Sequence, residues 1–177
     1  VGGELVRTNS ESLVDDLLAV LDRSKVGSIL AAREIEADMT RWLDALRGGG
    51  RRVVQWMQIP GDKNARVDAL KTVDEIEAGL TAAEAALADT GSLVLLAGEG
   101  RSHLPSLLPR LHLAILPASR VFHSMRDWLE KDGETRLRGT SQAVIITGPS
   151  RTADIEMTLT VGVHGPARLV VLLVKDE

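Results

Sequence analysis

The chain has 177 residues, the length of one domain, and hydrophobic residues make up 44% of it, a fraction that excludes a disordered chain. Its 21 basic and 25 acidic residues give a formal net charge of −4, so no bulk positive charge attracts nucleic acid or an anionic membrane. Cysteine is absent, which excludes a thiolate-bound iron–sulfur cluster, a disulfide and a thiol nucleophile within this chain.

The longest apolar runs, such as 93–97 and 169–174, are far shorter than the ~20 residues of a membrane span. No secretory signal opens the sequence, and a chain without cysteine suits a reducing compartment. We therefore expect a cytoplasmic protein with a single domain over residues 1–177. Because the chain starts with Val1 rather than Met, we also expect that residues upstream are missing.

In the first half of the chain, short apolar runs alternate with helical patterns, which predicts an α/β fold with a mostly parallel sheet. Strands are predicted at 4–7, 28–31 and 52–57, and helices at 13–21 and 35–46. Thr8 with Glu11 resembles a capping box for the first helix, and 48–50 ends the second. Residues 59–66 read as a mobile loop. Thr81 with Glu84 predicts a second capping box that opens a short helix to Ala88.

The second half is dense in apolar runs, which predict strands at 93–97, 111–116, 143–146, 159–163 and 169–174. A helix is predicted near 119–130 and an exposed loop at 133–140. Continuous apolar runs are typical of strands that are buried on both faces, as in a sheet covered by helices.

Three polar, glycine-containing segments lie at the ends of these predicted strands, at 90–92 (with 98–103), 147–156 and 162–166. In open α/β sheets, ligands bind beyond the carboxyl ends of the strands, and Gly, Ser, Thr and Arg suit a carboxylate or phosphate. The same residue types also close turns and cap helices. Both interpretations apply to each segment, and turn and cap chemistry is the commoner use.

Other chemistries find little support in the sequence. The Gly98-Glu99-Gly100 stretch lacks the third glycine of a dinucleotide-binding loop, and Ser150 lacks the G-x-S-x-G context of a hydrolase nucleophile. None of the histidines pairs at metal-ligand spacing, so no metal site is predicted: His103, His112, His123 and His164. His112 is expected to be a satisfied core or surface residue. The few aromatic residues are assigned to the core: Trp42, Trp56, Trp128 and Phe122.

Two long motifs carry a family resemblance: ITGPSRTADIE at 146–156 and TVGVHGPARLVVLLV at 160–174. Upstream, ADTGSLVL at 88–95 and SLLPRLHLAILP at 106–117 follow in the same order. Over about 81–174 the chain resembles the lactate-utilisation (LUD) domain family, in its stand-alone LutC/YkgG type. One departure is that this chain has Ser102-His103 where family members often have Arg.

The resemblance implies a three-layer α/β sandwich similar to the NagB/RpiA/CoA-transferase-like group. It also implies a role in bacterial oxidation of L-lactate to pyruvate, as one of three co-produced proteins. The companions carry cysteine-rich motifs for iron–sulfur clusters, so we expect no cofactor bound by this chain and electron transfer in a partner. The family-like residues of the motifs are Thr90, Gly91, Ser92, Gly148, Pro149, Ser150, Thr152, Asp154, Glu156, His164, Gly165 and Pro166.

The first functional hypothesis is a subunit or accessory factor of lactate oxidation that binds lactate, pyruvate or a partner through the motif segments. In it, Arg151 or Arg101 holds a carboxylate and the hydroxyls of Ser150 and Thr152 donate hydrogen bonds. The acid/base candidates are Asp154, Glu156 and His164. Thr90, Gly91, Ser92, Gly148 and Gly165 complete the expected ligand-binding set.

Two alternatives remain open. One is a free-standing enzyme acting on a sugar phosphate or an acyl-CoA, with Glu99 or Glu156 as its carboxylate, an analogy that rests on fold alone. The other is a purely structural docking module for the cluster-bearing partner. Whether this chain performs chemistry itself is not decided by its sequence.

Overall fold

The computed structural model describes residues 2–32, 37–56, 62–98, 101–153, 159–161 and 165–175. Its strands are β1 (Glu4–Asn9), β2 (Ser28–Ala32), β3 (Arg52–Trp56), β4 (Ala78–Ala82), β5 (Ala85–Leu87), β6 (Ser92–Ala97), β7 (Leu111–Pro117), β8 (Val121–Phe122), β9 (Gln142–Ile146), β10 (Arg151–Ala153), β11 (Leu159–Val161) and β12 (Arg168–Lys175). Its helices are α1 (Leu13–Arg23), α2 (Ala37–Gly48), α3 (Lys63–Asp74), α4 (Leu104–Leu107), α5 (Met125–Trp128) and α6 (Glu134–Leu137).

Six strands form a main sheet in the order β1-β12-β7-β4-β2-β3, and every neighbouring pair in it is parallel. This confirms the predicted α/β class with a parallel sheet flanked by helices. The first and last strands of the chain are neighbours, with Leu5 opposite Val171. The C-terminal strand therefore lies inside the sheet, between β1 and β7.

The two faces of the main sheet are covered differently. On one face, α1 and α2 bury a single apolar cluster against the strands, with Leu17, Leu21 and Leu46 fully buried in it. On the other face, α3 and α4 cover Leu30 of β2. A second sheet covers β7 and β12 on that same face, where Leu93 and Leu95 pack near Leu116 and Leu169.

The second sheet has the order β8-β5-β6-β9, and β6 runs antiparallel to both of its neighbours. Its outer side packs against Phe122 and Trp128, which closes a third apolar layer. The sequence predicted the apolar runs of β6 and β9 but did not separate them from the main sheet. Both sheets bury their central strands on two faces, so their hydrophobic patterns are alike.

The predicted helix from Thr81 to Ala88 is wrong, because these residues form β4 and β5. The backbone N–H of Ala83 donates to Ile115 O at 2.8 Å and that of Glu84 donates to Val94 O at 2.9 Å, which holds the chain extended between the two sheets. The capping box at Thr8 is also wrong. Thr8 belongs to β1, and Asn9 Oδ1 accepts the N–H groups of Glu11 and Ser12 instead.

Two predicted loops contain helix. Asp62 caps α3 by accepting the N–H groups of Asn64 and Ala65, so the expected loop at 59–66 ends in a helix start, and residues 59–61 lie outside the described residues. The predicted helix at 119–130 instead starts at Met125, after the short strand β8. It continues through a π-helical turn at Leu129–Gly133 into α6, which replaces most of the loop expected at 133–140.

Gly79 of β4 allows the short helix α4 to lie directly on the sheet. A Cβ atom at this position would stand 1.6 Å from the carbonyl oxygen of Pro105. Only a residue without a side chain permits this approach. In the part of the chain that the structure describes, no helix is both long and apolar enough to cross a membrane.

Candidate functional site

The antiparallel pairing of β6 and β9 brings the first two motif segments together. Leu93 lies opposite Ile146, so the segment that precedes β6 and the segment that follows β9 lie side by side. The Ser92 and Thr147 hydroxyl oxygens are 2.8 Å apart and share a hydrogen bond, although 55 residues separate them in the chain. Ser92 is buried, whereas Thr90 is exposed.

The third motif segment joins the second through Ser150. The Ser150 backbone N–H donates to Pro166 O at 2.9 Å. A Cβ atom on Gly165 would lie 3.3 Å from Ser150 Cβ, so these two residues pack closely. The structure therefore gathers parts of all three predicted segments at one place.

Two glycines of these segments have backbone conformations that other residues avoid. Gly91 has a φ of +64° and Gly148 has a φ of +116°. A side chain would be strained at either position, because L-residues rarely adopt positive φ. The turns at the start of β6 and after β9 thus depend on glycine, which agrees with the turn interpretation and still leaves their backbone open to a ligand.

A cavity of about 240 Å³ lies beneath the second and third motif segments, and we call it the motif cavity. Its described lining consists of Ser106, Leu107, His112, Val144, Ile145, Ile146, Thr147, Gly148, Pro149, Ser150, Gly165, Pro166 and Leu169. His112 and Leu169 are in register on β7 and β12, each near the amino end of its strand. The cavity thus lies at the carboxyl end of β9, as the segment at 147–156 predicted, but at the amino ends of β7 and β12 in the main sheet.

His112 is the titratable side chain among the described residues that line the motif cavity. It is 1% exposed, and its Nε2 atom shares a 2.9 Å hydrogen bond with Thr81 Oγ1. Burial lowers the pKa of His112 to about 4, so the imidazole is neutral at pH 7. The site therefore has a polar but uncharged wall on this side.

Ser106 and Ser150 supply hydroxyl groups to the same cavity. Ser106 is buried, and its hydroxyl donates to His103 O at 2.8 Å, which ties it to the start of α4. The Ser150 hydroxyl has no hydrogen-bond partner among the described residues. Ser150 is half-buried and lines the cavity, so its hydroxyl is placed to meet a ligand there.

His112, Thr81 and Ser106 are not among the site residues predicted from the sequence. His112 was expected to be a satisfied core or surface histidine, and it is a buried one that bonds to Thr81 beneath the motif segments. The sequence signal that could have placed His112 is the alternation of side chains between the two faces of a strand. His112 lies between Leu111 and Leu113, which face α1, so its side chain must face the second sheet.

Arg101 lies away from the motif cavity. It forms an isolated bridge with Gly98, just after the end of β6, whereas Ser92 opens that strand. Six residues of extended chain, about 20 Å, separate the two ends. The described structure therefore does not bring Arg101 together with Ser150.

The predicted acid/base residues Asp154, Glu156 and His164 lie outside the described residues. The backbones of Arg151 and Thr152 belong to β10, which pairs with β11, and Thr152 lies opposite Thr160. Their side chains are likewise outside the described part of the structure. The roles assigned to these five residues stay predictions.

A cluster of paired charges lies at the other edge of the main sheet, past the carboxyl ends of β4 and β7. Arg120 pairs with both Glu84 and Asp132, and Arg136 lies 3.5 Å and 3.4 Å from the same two carboxylates. The hydrogen bond from Arg120 lowers the pKa of Asp132. Two cations and two anions compensate each other, so this cluster joins β4 to the α5–α6 helix and leaves no net charge for a ligand.

His103 occupies a buried position at the start of α4. Its Nε2 atom has no hydrogen-bond partner among the described residues. Burial lowers its pKa, and a hydrogen bond with the Gln142 backbone opposes that effect. Across the described residues, no group of three or more His, Asp or Glu side chains could hold a metal ion.

The sequence matches the LUD domain family over residues 1–174. A protein from Bacillus velezensis named lactate utilization protein C is 32% identical over 98% of this chain and 73% of its own length. A protein of the same name from Exiguobacterium is 34% identical over 98% of this chain and 72% of its own. The crystal structure of a DUF162 family protein from Deinococcus radiodurans shares the fold with a TM-score of 0.65, at 20% identity over 97% of this chain and 88% of that one.

Proposed function

This chain belongs to the LUD domain family, and we propose that it takes part in lactate utilisation, as a subunit or accessory factor of L-lactate oxidation to pyruvate. The observation that carries the proposal is the similarity to lactate utilization protein C along nearly the whole chain. The position of the second and third motif segments around one cavity supports it, and the Ser92–Thr147 hydrogen bond places the first segment beside them.

We propose that the motif cavity takes a small carboxylate such as lactate or pyruvate. The Ser150 hydroxyl, with the backbone around Gly148, would donate hydrogen bonds to the carboxylate. The neutral imidazole of His112 is a partner for a hydroxyl or keto oxygen, because it carries no charge that would compete for the carboxylate. Arg151, which follows Ser150 in the chain, remains the proposed cationic partner.

Oxidation of lactate removes two electrons and two protons, and the electrons need an acceptor. This chain has no cysteine to hold an iron–sulfur cluster. We therefore propose that Asp154, Glu156 or His164 of this chain takes the hydroxyl proton. The C2–H bond breaks as the keto C=O forms: its hydrogen leaves as a proton to solvent, and its electron pair passes to clusters in the partner proteins.

The test is lactate-dependent dye reduction in a lysate that lacks this gene product, with and without the purified chain. We expect the chain to restore activity. The Ser150→Ala variant should restore about tenfold less at limiting lactate, because it loses one hydrogen bond to a charged group. Ser10→Ala, in an exposed turn, is the matched control and should restore full activity.

Two results would contradict the proposal. Dye reduction that never depends on the added chain would remove it from lactate oxidation. Turnover by the purified chain alone, on a sugar phosphate or an acyl-CoA, would instead favour a free-standing enzyme.

A further inference from the structure

A second cavity of about 280 Å³ lies beside the motif cavity, between the two sheets, and we call it the apolar groove. Its floor is β12, which presents Leu169, Val171 and Leu173 on the same face. Leu93 of β6 lies across from them. At ~3.3 Å per residue, the floor from Leu169 to Leu173 is about 13 Å long. This length suits an extended aliphatic chain better than a compact group.

Large apolar side chains remain open to solvent at the mouth of the apolar groove. Leu5 of β1 is 52% exposed and Val121 of β8 is 43% exposed, and both line the groove. Burial of apolar surface is favourable, so an aliphatic occupant would gain free energy by covering these side chains. Glu4 is the charged residue among the described residues of the lining, and its carboxylate already pairs with Arg23.

The apolar groove and the motif cavity meet at Gly148 and Leu169, which line both. The Ser92–Thr147 hydrogen bond crosses the same border, since Ser92 lines the groove and Thr147 lines the motif cavity. Gly148 has no side chain to fill the space between the two cavities, and its positive φ disfavours any other residue at this position. A cavity that carries hydroxyl groups and an imidazole is therefore adjacent, at Gly148, to a groove whose lining is almost entirely aliphatic.

We propose that the two spaces form one binding site for a 2-hydroxy or 2-oxo monocarboxylic acid that carries a linear aliphatic chain. The carboxylate and the oxygen on C2 lie in the motif cavity, near Ser150 and His112. The aliphatic chain passes Gly148 and lies along β12 in the apolar groove. The inference rests on the proposed function for the identity of the head group, and on the groove alone for the chain.

The test is isothermal titration calorimetry of the full chain with straight-chain 2-hydroxy acids, from lactate to 2-hydroxyoctanoate. We expect the Kd to fall about fourfold for each added methylene, the value for full burial of one CH₂ group. Equal Kd values along the series would overturn the proposal. So would equal affinity for 1-octanol and 2-hydroxyoctanoate, because the groove would then bind without the motif cavity.

Two variants locate the aliphatic chain. Val121→Trp should fill the mouth of the groove and weaken binding of 2-hydroxyoctanoate at least tenfold, and Leu5→Trp should do the same from the opposite strand. Val67→Trp, on the exposed surface of α3, is the matched control and should bind like the unmodified chain. An unchanged Kd for 2-hydroxyoctanoate in both groove variants would overturn the placement of the aliphatic chain in the groove. An equal loss of affinity in the Val67→Trp control would overturn it as well.

The result separates this inference from the proposed function. A chain that restores lactate oxidation in the lysate but shows no chain-length dependence would contradict the groove alone. A chain that binds the longer acids with the expected dependence but never restores lactate oxidation would contradict the role in lactate utilisation alone. A partner protein that inserts an apolar side chain into the groove is the alternative occupant, and equal Kd values along the acid series would favour it.

Discussion

Two neighbouring regions use polar residues and glycines in opposite ways. One is the pair of main-sheet strands β4 and β7, and the other is the nearby end of the second sheet. In the main sheet, the buried side chains of Thr81 and His112 share a hydrogen bond, and the absence of a side chain at Gly79 allows α4 to contact β4. At the end of the second sheet, Ser150 and Gly148 line the motif cavity, and Gly148 has a positive φ. In the first region, packing and hydrogen bonding fix the polar groups, and His112 is the one among them that also lines the motif cavity. The second gathers polar groups that packing leaves free, which is what a binding site requires.

The largest effect is expected from Gly79→Ala. The new Cβ would stand 1.6 Å from Pro105 O, so α4 must leave the sheet, at a cost of about 3 kcal/mol in the free energy of unfolding. Gly48→Ala meets nothing within 4 Å and is the control, with a gain or loss of less than about 1 kcal/mol. Chemical denaturation measures both. Equal stability of the two variants would show that close packing does not govern this region.

His112 should make folding stability depend on pH. Its pKa is about 4 in the folded chain and about 6.5 in the unfolded one, so the unfolded state binds more protons between these values. Stability is therefore complete above pH 6.5 and falls by about 3 kcal/mol as the pH drops to 4. His103, whose pKa is also lowered, adds to the same slope.

Denaturation midpoints between pH 7 and pH 4.5 measure this dependence. His112→Gln should flatten the slope, whatever its effect on stability at pH 7, and leave the part that His103 contributes. His123→Gln, at an exposed position, should keep the full slope. An unchanged slope in His112→Gln would mean that the buried imidazole does not titrate in this range.

Substitution of the predicted acid/base carboxylates of the second motif segment should cost activity rather than stability. The double variant Asp154→Asn/Glu156→Gln is expected to lower lactate-dependent dye reduction about 100-fold, as loss of an acid/base group does. Its midpoint of thermal unfolding should stay near that of the unmodified chain. Full activity in the lysate assay would remove both carboxylates from the chemistry.

The smallest effect concerns Glu77, at the amino ends of β2 and β4. Its carboxylate accepts the N–H groups of Gly27 and Ser28 at 2.7 and 2.9 Å, and the bond from Gly27 is the main cause of its lowered pKa. Its stabilisation is therefore present above its ordinary pKa and is lost as the pH falls through the lowered value. Glu77→Gln should cost about 0.5 kcal/mol at pH 7, because solvent screens an exposed group. Glu75→Gln is the control in the same thermal scan and should cost less.

The strands were predictable because their apolar runs are largely buried, wholly in β6 and over all but the last residue of β7. The pattern at 93–97, 111–116 and 169–174 gave β6, β7 and β12 to within one residue at each end. The assignment of β6 to a second sheet was not predictable, since its six residues are all buried, as in a main-sheet strand. Helix α3 was missed because its described burial is confined to Val73, which leaves a weak helical period.

The candidate site was predictable in its loops but not in its floor. The glycine, proline and hydroxyl residues at 90–92, 147–150 and 165–166 predict turns near strand ends. The fold brings these turns together through the Ser92–Thr147 and Ser150–Pro166 hydrogen bonds. The floor is formed by His112 of β7, which bonds to Thr81 of β4, and by Ser106 of α4. No local sequence pattern connects these residues to the motif loops. Only the pairing of β7 with β12 does so.

The position of β12 fixes when this protein can assemble. The last strand of the chain separates β1 from β7, so β1 has no partner in the main sheet until the C-terminal residues are available. The same strand supplies Leu169 to the motif cavity and follows directly on Gly165 and Pro166. During synthesis, β1 therefore pairs in the main sheet only after β12 has been made, and contacts between residues this distant in sequence form slowly. A chain cut short before β12 would lose the N-terminal strand and the site together.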